Sequence, residues 1–245
     1  MKRALFIFLS LLACMLSSCI DGEEEIFIND DGSASLKAVY SLPALILSDA
    51  DAEELRKTVA KELGGDEKIR LVQNTVERSK GRQVITIELE TDNLLDLEDL
   101  VPDEESGEGG ESSKSAQILD ALLGELAFSR EGMNAHVVRE VDLAPLLDKY
   151  LGDRGPAMLG DSEFRYAVHF PQAVKSSNAH EVSNEGKTLK WRYRLSECKD
   201  KPMKLSMVTP IPLPWWVYVV LGLVALLILC VAWLVLKKLK TKAKS

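Results

Sequence analysis

Histidine and cysteine are scarce in this chain, and neither occurs in the patterns that usually carry their chemistry. Across 245 residues there are three histidines and four cysteines. There is no CxxC pair, no HxxxH spacing, no Gly-x-Ser-x-Gly elbow and no glycine loop built to cradle a phosphate. Thiol-redox, zinc, serine-hydrolase and nucleotide-loop chemistry thus lack their sequence carriers. His136, His169 and His180 read as structural or exposed side chains. The net charge of −8 disfavours nucleic acid as a partner. No catalytic residue, no metal ligand and no cofactor is expected, so the protein is not expected to be an enzyme.

Apolar sequence is abundant, and its long runs stand at the two ends. Met1-Lys2-Arg3 is a short basic start, and Ala4 to Leu16 follows as an apolar run too short to cross a hydrocarbon core of ~30 Å. Leu16-Ser17-Ser18-Cys19 then has the order of a bacterial lipobox. Residues 1–18 are therefore expected to be a lipoprotein signal peptide, with Cys19 the residue that receives diacylglycerol and a palmitate-type acyl chain. Near the other end, Trp215 to Leu236 is a run of 22 residues without a charge. At ~1.5 Å per residue it reaches about 33 Å, enough for a transmembrane helix. Trp215, Trp216, Tyr218 and Trp233 lie near its ends, where amphipathic rings favour the headgroup zone, and five lysines follow in 237–245. A basic flank marks the cytoplasmic side. Residues 19–210 are thus expected outside the cytoplasmic membrane of a bacterium, tethered at Cys19 and by the helix at 215–236, with a cytoplasmic tail at 237–245. Only Cys198 is left outside as a free thiol, so no internal disulfide is available. It is expected to be buried and inert rather than a site for an intermolecular bridge.

Within 19–210 the patterns are mixed and mostly β. Glu25 to Ile28, the Asn29–Gly32 turn and Ser33 to Tyr40 read as a hairpin. Ser48 can cap a helix with Ala52, Leu55, Val59 and Leu63 on one face, ended by Gly64-Gly65. Ile69–Glu77 and Val84–Glu90 flank a Ser79–Arg82 turn, with Ile85, Ile87 and Leu89 on one face. The run at 102–113 has almost nothing to bury and reads as a solvated acidic loop. A calcium loop is the sharper alternative, but its fixed ligand spacing is missing. Ala116–Leu126 looks helical, 125–141 looks like a third hairpin, and Leu143–Leu151 looks helical again. Glu25, Gly32, Ala44 and Leu47 recur as Glu125, Gly132, Ala144 and Leu147, which suggests a pseudo-repeat. Phe164, Tyr166, Val168 and Phe170 alternate cleanly, as do Leu189, Trp191, Tyr193 and Leu195.

Charge is partitioned along the chain, at −19 over residues 20–162 and +4 over 163–208. Alternation sends Lys190, Arg192 and Arg194 to the face opposite Trp191, where contact with an anionic membrane surface is expected. A solvated strand face crossed by salt bridges is the competing reading.

The hairpin "IFINDDGSASLKAVYSLP", the stretch "FRYAVHFPQAVKSSNAHEVSNEGKTLKWRYRL" and the terminal apolar run with its basic tail resemble the LppM-like family of bacterial envelope lipoproteins. Phe170-Pro171, Asn178, Gly186 and Trp191 carry the likeness in the second stretch; the long acidic loop departs from it. The resemblance implies an α+β ectodomain, a curved antiparallel sheet with a few packed helices, beside the one C-terminal transmembrane helix. It also implies contact with membrane lipid or glycolipid and no catalytic residues. A lipid-binding envelope lipoprotein is the leading expectation. The alternative is a scaffold or interaction module with an envelope protein partner and no small ligand. A spare apolar cavity would favour the first, and a filled core with a flat apolar patch the second.

Replacing Cys19 by Ala should abolish labelling by a palmitate analogue and leave the protein in the membrane fraction, held by residues 215–236. Label that persists in the variant overturns the assignment.

Overall fold

The computed structural model describes residues 20–64, 68–93, 113–152, 159, 162–198, 201–211, 222–224 and 226. The expected signal peptide, Cys19, the cytoplasmic tail and the acidic loop (apart from Ser113) lie outside them. Among the described residues no helix is long and apolar enough to cross a membrane. Of 215–236 only Gly222, Leu223, Val224 and Leu226 are described, and they are helical.

The fold is α+β, mostly strand, with two curved sheets where one was expected. Eleven strands are found among the described residues: β1 (Asp21–Ile28), β2 (Ala34–Pro43), β3 (Ile69–Ser79), β4 (Arg82–Thr91), β5 (Glu125–Glu131), β6 (Asn134–Val141), β7 (Glu163–His169), β8 (Ser176–Ser177), β9 (Glu181–Ser183), β10 (Thr188–Arg194) and β11 (Met203–Pro210). Three α-helices accompany them between residues 20 and 211 among the described residues: α1 (Asp49–Leu63), α2 (Lys114–Leu123) and α3 (Ala144–Leu151). The larger sheet has the order β3-β4-β2-β1-β7-β10-β9, and the smaller β5-β6-β11-β8.

All three expected hairpins form. The β3–β4 turn needs left-handed backbone at both central positions, and Lys80 (φ 51°) and Gly81 (φ 78°) supply it. The first helix also starts where its sequence says. Ser48 Oγ accepts from the Asp51 N–H, and the Asp51 carboxylate accepts from the Ser48 N–H. Ala52, Leu55, Val59 and Leu63 are all buried on one face. Lys114, at the start of α2, donates to Asp51 at 2.7 Å and holds that carboxyl below its usual pKa.

Four expectations need correction. The larger sheet is mixed, not antiparallel: β1 and β7 pair in parallel from Gly22↔Phe164 to Phe27↔His169. No local pattern carries that pairing, because the partners lie about 140 residues apart and meet only through burial of both inner faces. Helix α2 ends at Leu123, not 126. Gly124 has φ +64°, and a Cβ there would come within 2.3 Å of the Glu140 carbonyl, so the chain turns against β6 at that point. The apparent repeat is one of order only, since β1–β2 and β5–β6 belong to different sheets. Strand β11 was not foreseen, although Met203, Leu205, Met207 and Thr209 alternate as its buried side.

One face of the larger sheet holds the core. Over β3 and β4 it is covered by α1, and the smaller sheet reaches β1 and β7 through Arg139 and β10 through Asn178. Trp191 and Phe164 are each only 1% exposed. Asn178 joins the sheets: its Oδ1 accepts from Trp191 Nε1 and from the Ser206 N–H, both at 2.8 Å, while its Nδ2 donates to the Lys204 carbonyl. Trp191→Ala should destabilise the domain by about 3–5 kcal/mol, the usual cost of removing a buried Trp. Trp191→Phe keeps most of the packing and loses one hydrogen bond, about 1 kcal/mol. Urea unfolding followed by circular dichroism should separate the two; equal losses would contradict the packing account.

Candidate functional site

The two inner faces do not close on each other along their whole length. Between β1 and β7 on one side and β5, β6 and β11 on the other lies a cavity of about 580 Å³. Its walls are apolar, with Ile26, Ile28, Phe128, Val137, Val168 and Met207 among them. The reason is visible in strand periodicity. Residues 22, 24, 26 and 28 of β1 share one face, as do 135, 137 and 139 of β6. Packed sheets stand about 10 Å apart, and side chains as short as Ala135 and Val137 do not span that gap.

The cavity has a distinct floor and mouth. Buried Glu24, Tyr166 and Leu205 line one end, while exposed Asp31, Arg130 and Gln172 line the other. The floor is built around a buried ion pair. Arg139 Nη1 meets Glu24 Oε2 at 2.5 Å and Nη2 meets Oε1 at 3.1 Å. The same guanidinium donates through Nε to the Leu123 carbonyl at 2.9 Å and through Nη2 to that of Leu122 at 3.0 Å. It thereby satisfies the C-terminus of α2. Tyr40 donates its hydroxyl to Glu24 at 2.5 Å, and the Arg139 guanidinium carbon stands 5.5 Å from the centroid of the Tyr166 ring.

Protonation follows from this geometry. Burial works against the Arg139 charge, but attraction and hydrogen bonding from Glu24 outweigh it, so its pKa lies above the ordinary arginine value. Burial first, and the Glu24 charge second, push Tyr40 and Tyr166 well above the usual phenol value. The Tyr166 hydroxyl is buried with no hydrogen-bond partner among the described residues. The floor is polar but internally neutral: one carboxylate answers one guanidinium.

The residues expected from sequence lie elsewhere. Lys190, Arg192 and Arg194 are exposed on the outer face of the larger sheet, opposite Trp191 as expected, and none reaches the cavity. Each has a carboxylate partner. Lys190 meets Glu181 at 3.1 Å, Arg194 meets Glu197 at 3.8 Å, and Arg192 is hydrogen-bonded to Glu163, which it holds below the usual carboxylate pKa. His169 sits on the same face, stacked on Phe27 with ring centroids 4.3 Å apart and 3.0 Å from Glu25. Cys198 is half-buried, and burial raises its thiol pKa, the Glu197 charge adding to the effect. Among the described residues no group of three His, Cys, Asp or Glu side chains is placed to hold a metal ion. Cys19 itself is not described, but its neighbour Ile20 is buried, and the Ile20 N–H donates to Ser162 Oγ at 2.7 Å.

Glu24, Arg139, Tyr40 and Tyr166 were missed as a site. The signal was present: Glu24 shares a strand face with Ile26 and Ile28, and Arg139 with Val137 and Val141. A charge on an apolar face requires a buried partner. In the sequence, however, Glu24 is the middle of an acidic run and looks solvated.

No protein-family model matches the chain, and no curated protein matches it. Among solved structures it is similar to the NMR structure of the folded domain of LppM from Mycobacterium tuberculosis. The identity is 15%, the TM-score 0.46, and the match covers 81% of this chain and 93% of that one. The likeness is distant, and the functional reading below rests on the cavity.

Glu24→Ala should cost about 3–5 kcal/mol, because it leaves the Arg139 charge buried without its counter-ion. Pairing Glu24→Leu with Arg139→Met should recover most of that loss in urea unfolding. A single-site loss below 1 kcal/mol would mean that the floor is open to water.

Proposed function

We propose that this protein is a non-enzymatic envelope lipoprotein, anchored to the bacterial cytoplasmic membrane, whose ectodomain holds a lipid in the cavity between its sheets. One observation carries the reading: an apolar space of about 580 Å³ between the two sheets. Ligand sites commonly measure ~300–1,000 Å³, with apolar walls and a few polar groups. The cavity walls suit a hydrocarbon chain. In this reading Cys19 carries the acyl anchor and Lys190, Arg192 and Arg194 contact the membrane surface. The three carboxylate partners of those side chains make that contact weaker than their sequence suggests.

A neutral apolar fluorophore, N-phenyl-1-naphthylamine, should bind the full chain in detergent and be displaced by added phospholipid. Val137→Trp places an indole in the space, and Ala135→Phe narrows it nearer the mouth. Both should reduce the displaceable signal at least several-fold while leaving the circular dichroism spectrum intact. Unchanged displaceable binding in both folded variants would overturn the cavity as the lipid site and favour the scaffold.

A further inference from the structure

We infer that the cavity is filled from the same bilayer that anchors the chain, by a membrane lipid entering tail first through a mouth that the C-terminal tether holds at the membrane surface. The inference rests on the cavity reading and extends it to the source and direction of the ligand.

Three observations combine. The first is where β11 ends. It runs from Leu205 at the floor to Pro210 at the mouth, and Ile211 lines the mouth itself. The Ile211 N–H donates to the Met133 carbonyl at 2.9 Å, so the departing chain is pinned to the β5–β6 turn. The second is how little chain remains. Trp215, where the uncharged run starts, is four residues beyond Ile211. Fully extended, four residues reach at most ~14 Å. If that run spans the bilayer, as its length and basic flank predict, the cavity mouth lies close to the point of entry. Met133 on the rim is 49% exposed.

The third observation sets the direction of entry. Arg139 spends four hydrogen bonds on Glu24 and on the two carbonyls that end α2, and both Glu24 oxygens are engaged. The floor therefore has no unbalanced charge to receive a headgroup, and a phosphate driven there would face the Glu24 carboxylate. The deep walls take hydrocarbon. At the mouth the charges are of both signs and exposed, with Arg130 and Asp31 on opposite sides of the opening. A lipid headgroup stays there in water while its chain goes in. Such a lipid is nearly insoluble as a monomer, so a mouth far from any membrane would be slow to fill.

Lengthening the tether tests this directly. A flexible Gly/Ser insert of about 30 residues between Ile211 and Pro212 extends the reach to roughly 30 Å r.m.s.. Full chains with the wild-type tether and with the insert, both carrying Cys19→Ala so that residues 215–236 are the sole anchor, are reconstituted into phosphatidylcholine vesicles containing a trace of phospholipid with a photoactivatable acyl chain. Labelled peptides are then mapped over time. With the wild-type tether, label should reach β5, β6 and β11 within the cavity. The insert should slow it roughly tenfold, because local concentration falls steeply with reach. In detergent micelles carrying the same lipid the two chains should label equally, which shows that the insert leaves the domain intact. Equal rates in vesicles overturn entry from the anchoring bilayer and leave the cavity reading standing. Label absent from the cavity strands while N-phenyl-1-naphthylamine still binds overturns membrane lipid as the ligand. Loss of both signals overturns the cavity reading itself.

Discussion

The buried pair of Glu24 and Arg139 is the interaction on which the arrangement of the two sheets depends. It joins β1 of the larger sheet to β6 of the smaller, ends α2 through two carbonyls, and engages the β2 hydroxyl of Tyr40. Four elements thus meet at one ionised contact. Such a pair need not be more stable than apolar side chains of the same volume. Its contribution here is to position: neither charge tolerates burial alone, so β6 approaches β1 in one register. With the floor clamped, and with side chains as short as Ala135 and Val137 on β6 beyond it, the sheets leave an unfilled space between them.

The outer face of the larger sheet shows a second effect of pairing distant strands. In the chain, acid is concentrated before residue 162 and base after it. The parallel pairing of β1 and β7 interleaves the two. Arg165 meets Glu23 at 3.0 Å and His169 meets Glu25 at 3.0 Å, while β10 adds Arg192 against Glu163. Exposed pairs of this kind contribute at most about 1 kcal/mol each, so they do little for stability. They do remove the charge segregation that the linear sequence displays. A basic stripe in one dimension becomes a nearly neutral face in three.

The placement of the chain ends bears on how the domain sits on a membrane. Ile20 is fixed at the floor end of β1, and Ile211 at the mouth. Strand β1 has eight residues, about 23 Å between its first and last Cα at ~3.3 Å per residue. If an acyl chain on Cys19 and a helix from Trp215 enter one bilayer, the strands must lie along its surface. Both anchors then restrain the tilt of the domain, and the mouth opens sideways at the headgroup level.

By itself the sequence determined what short-range chemistry controls. Period-2 alternation located β4, β7 and β10 and sorted their faces; the glycine-bearing turn at Asn29–Gly32 marked the β1–β2 hairpin; Ser48 and Gly64 bounded α1; Lys80-Gly81 made a hairpin. Each depends on contacts within a few residues, whose free energies are set by local dihedrals and burial. What only the tertiary structure decided is everything that requires distant segments to meet: the parallel β1–β7 ladder, the division into two sheets, and the cavity. Glu24 shows why. Beside Glu23 and Glu25 it is one carboxylate among three in an acidic run, and its place on the face of Ile26 and Ile28 is a local sign that the run conceals. Its role exists only when Arg139, 115 residues away, arrives on the facing sheet and both leave water together. An empty volume is harder still to read, because it follows from the fit of side chains that never touch.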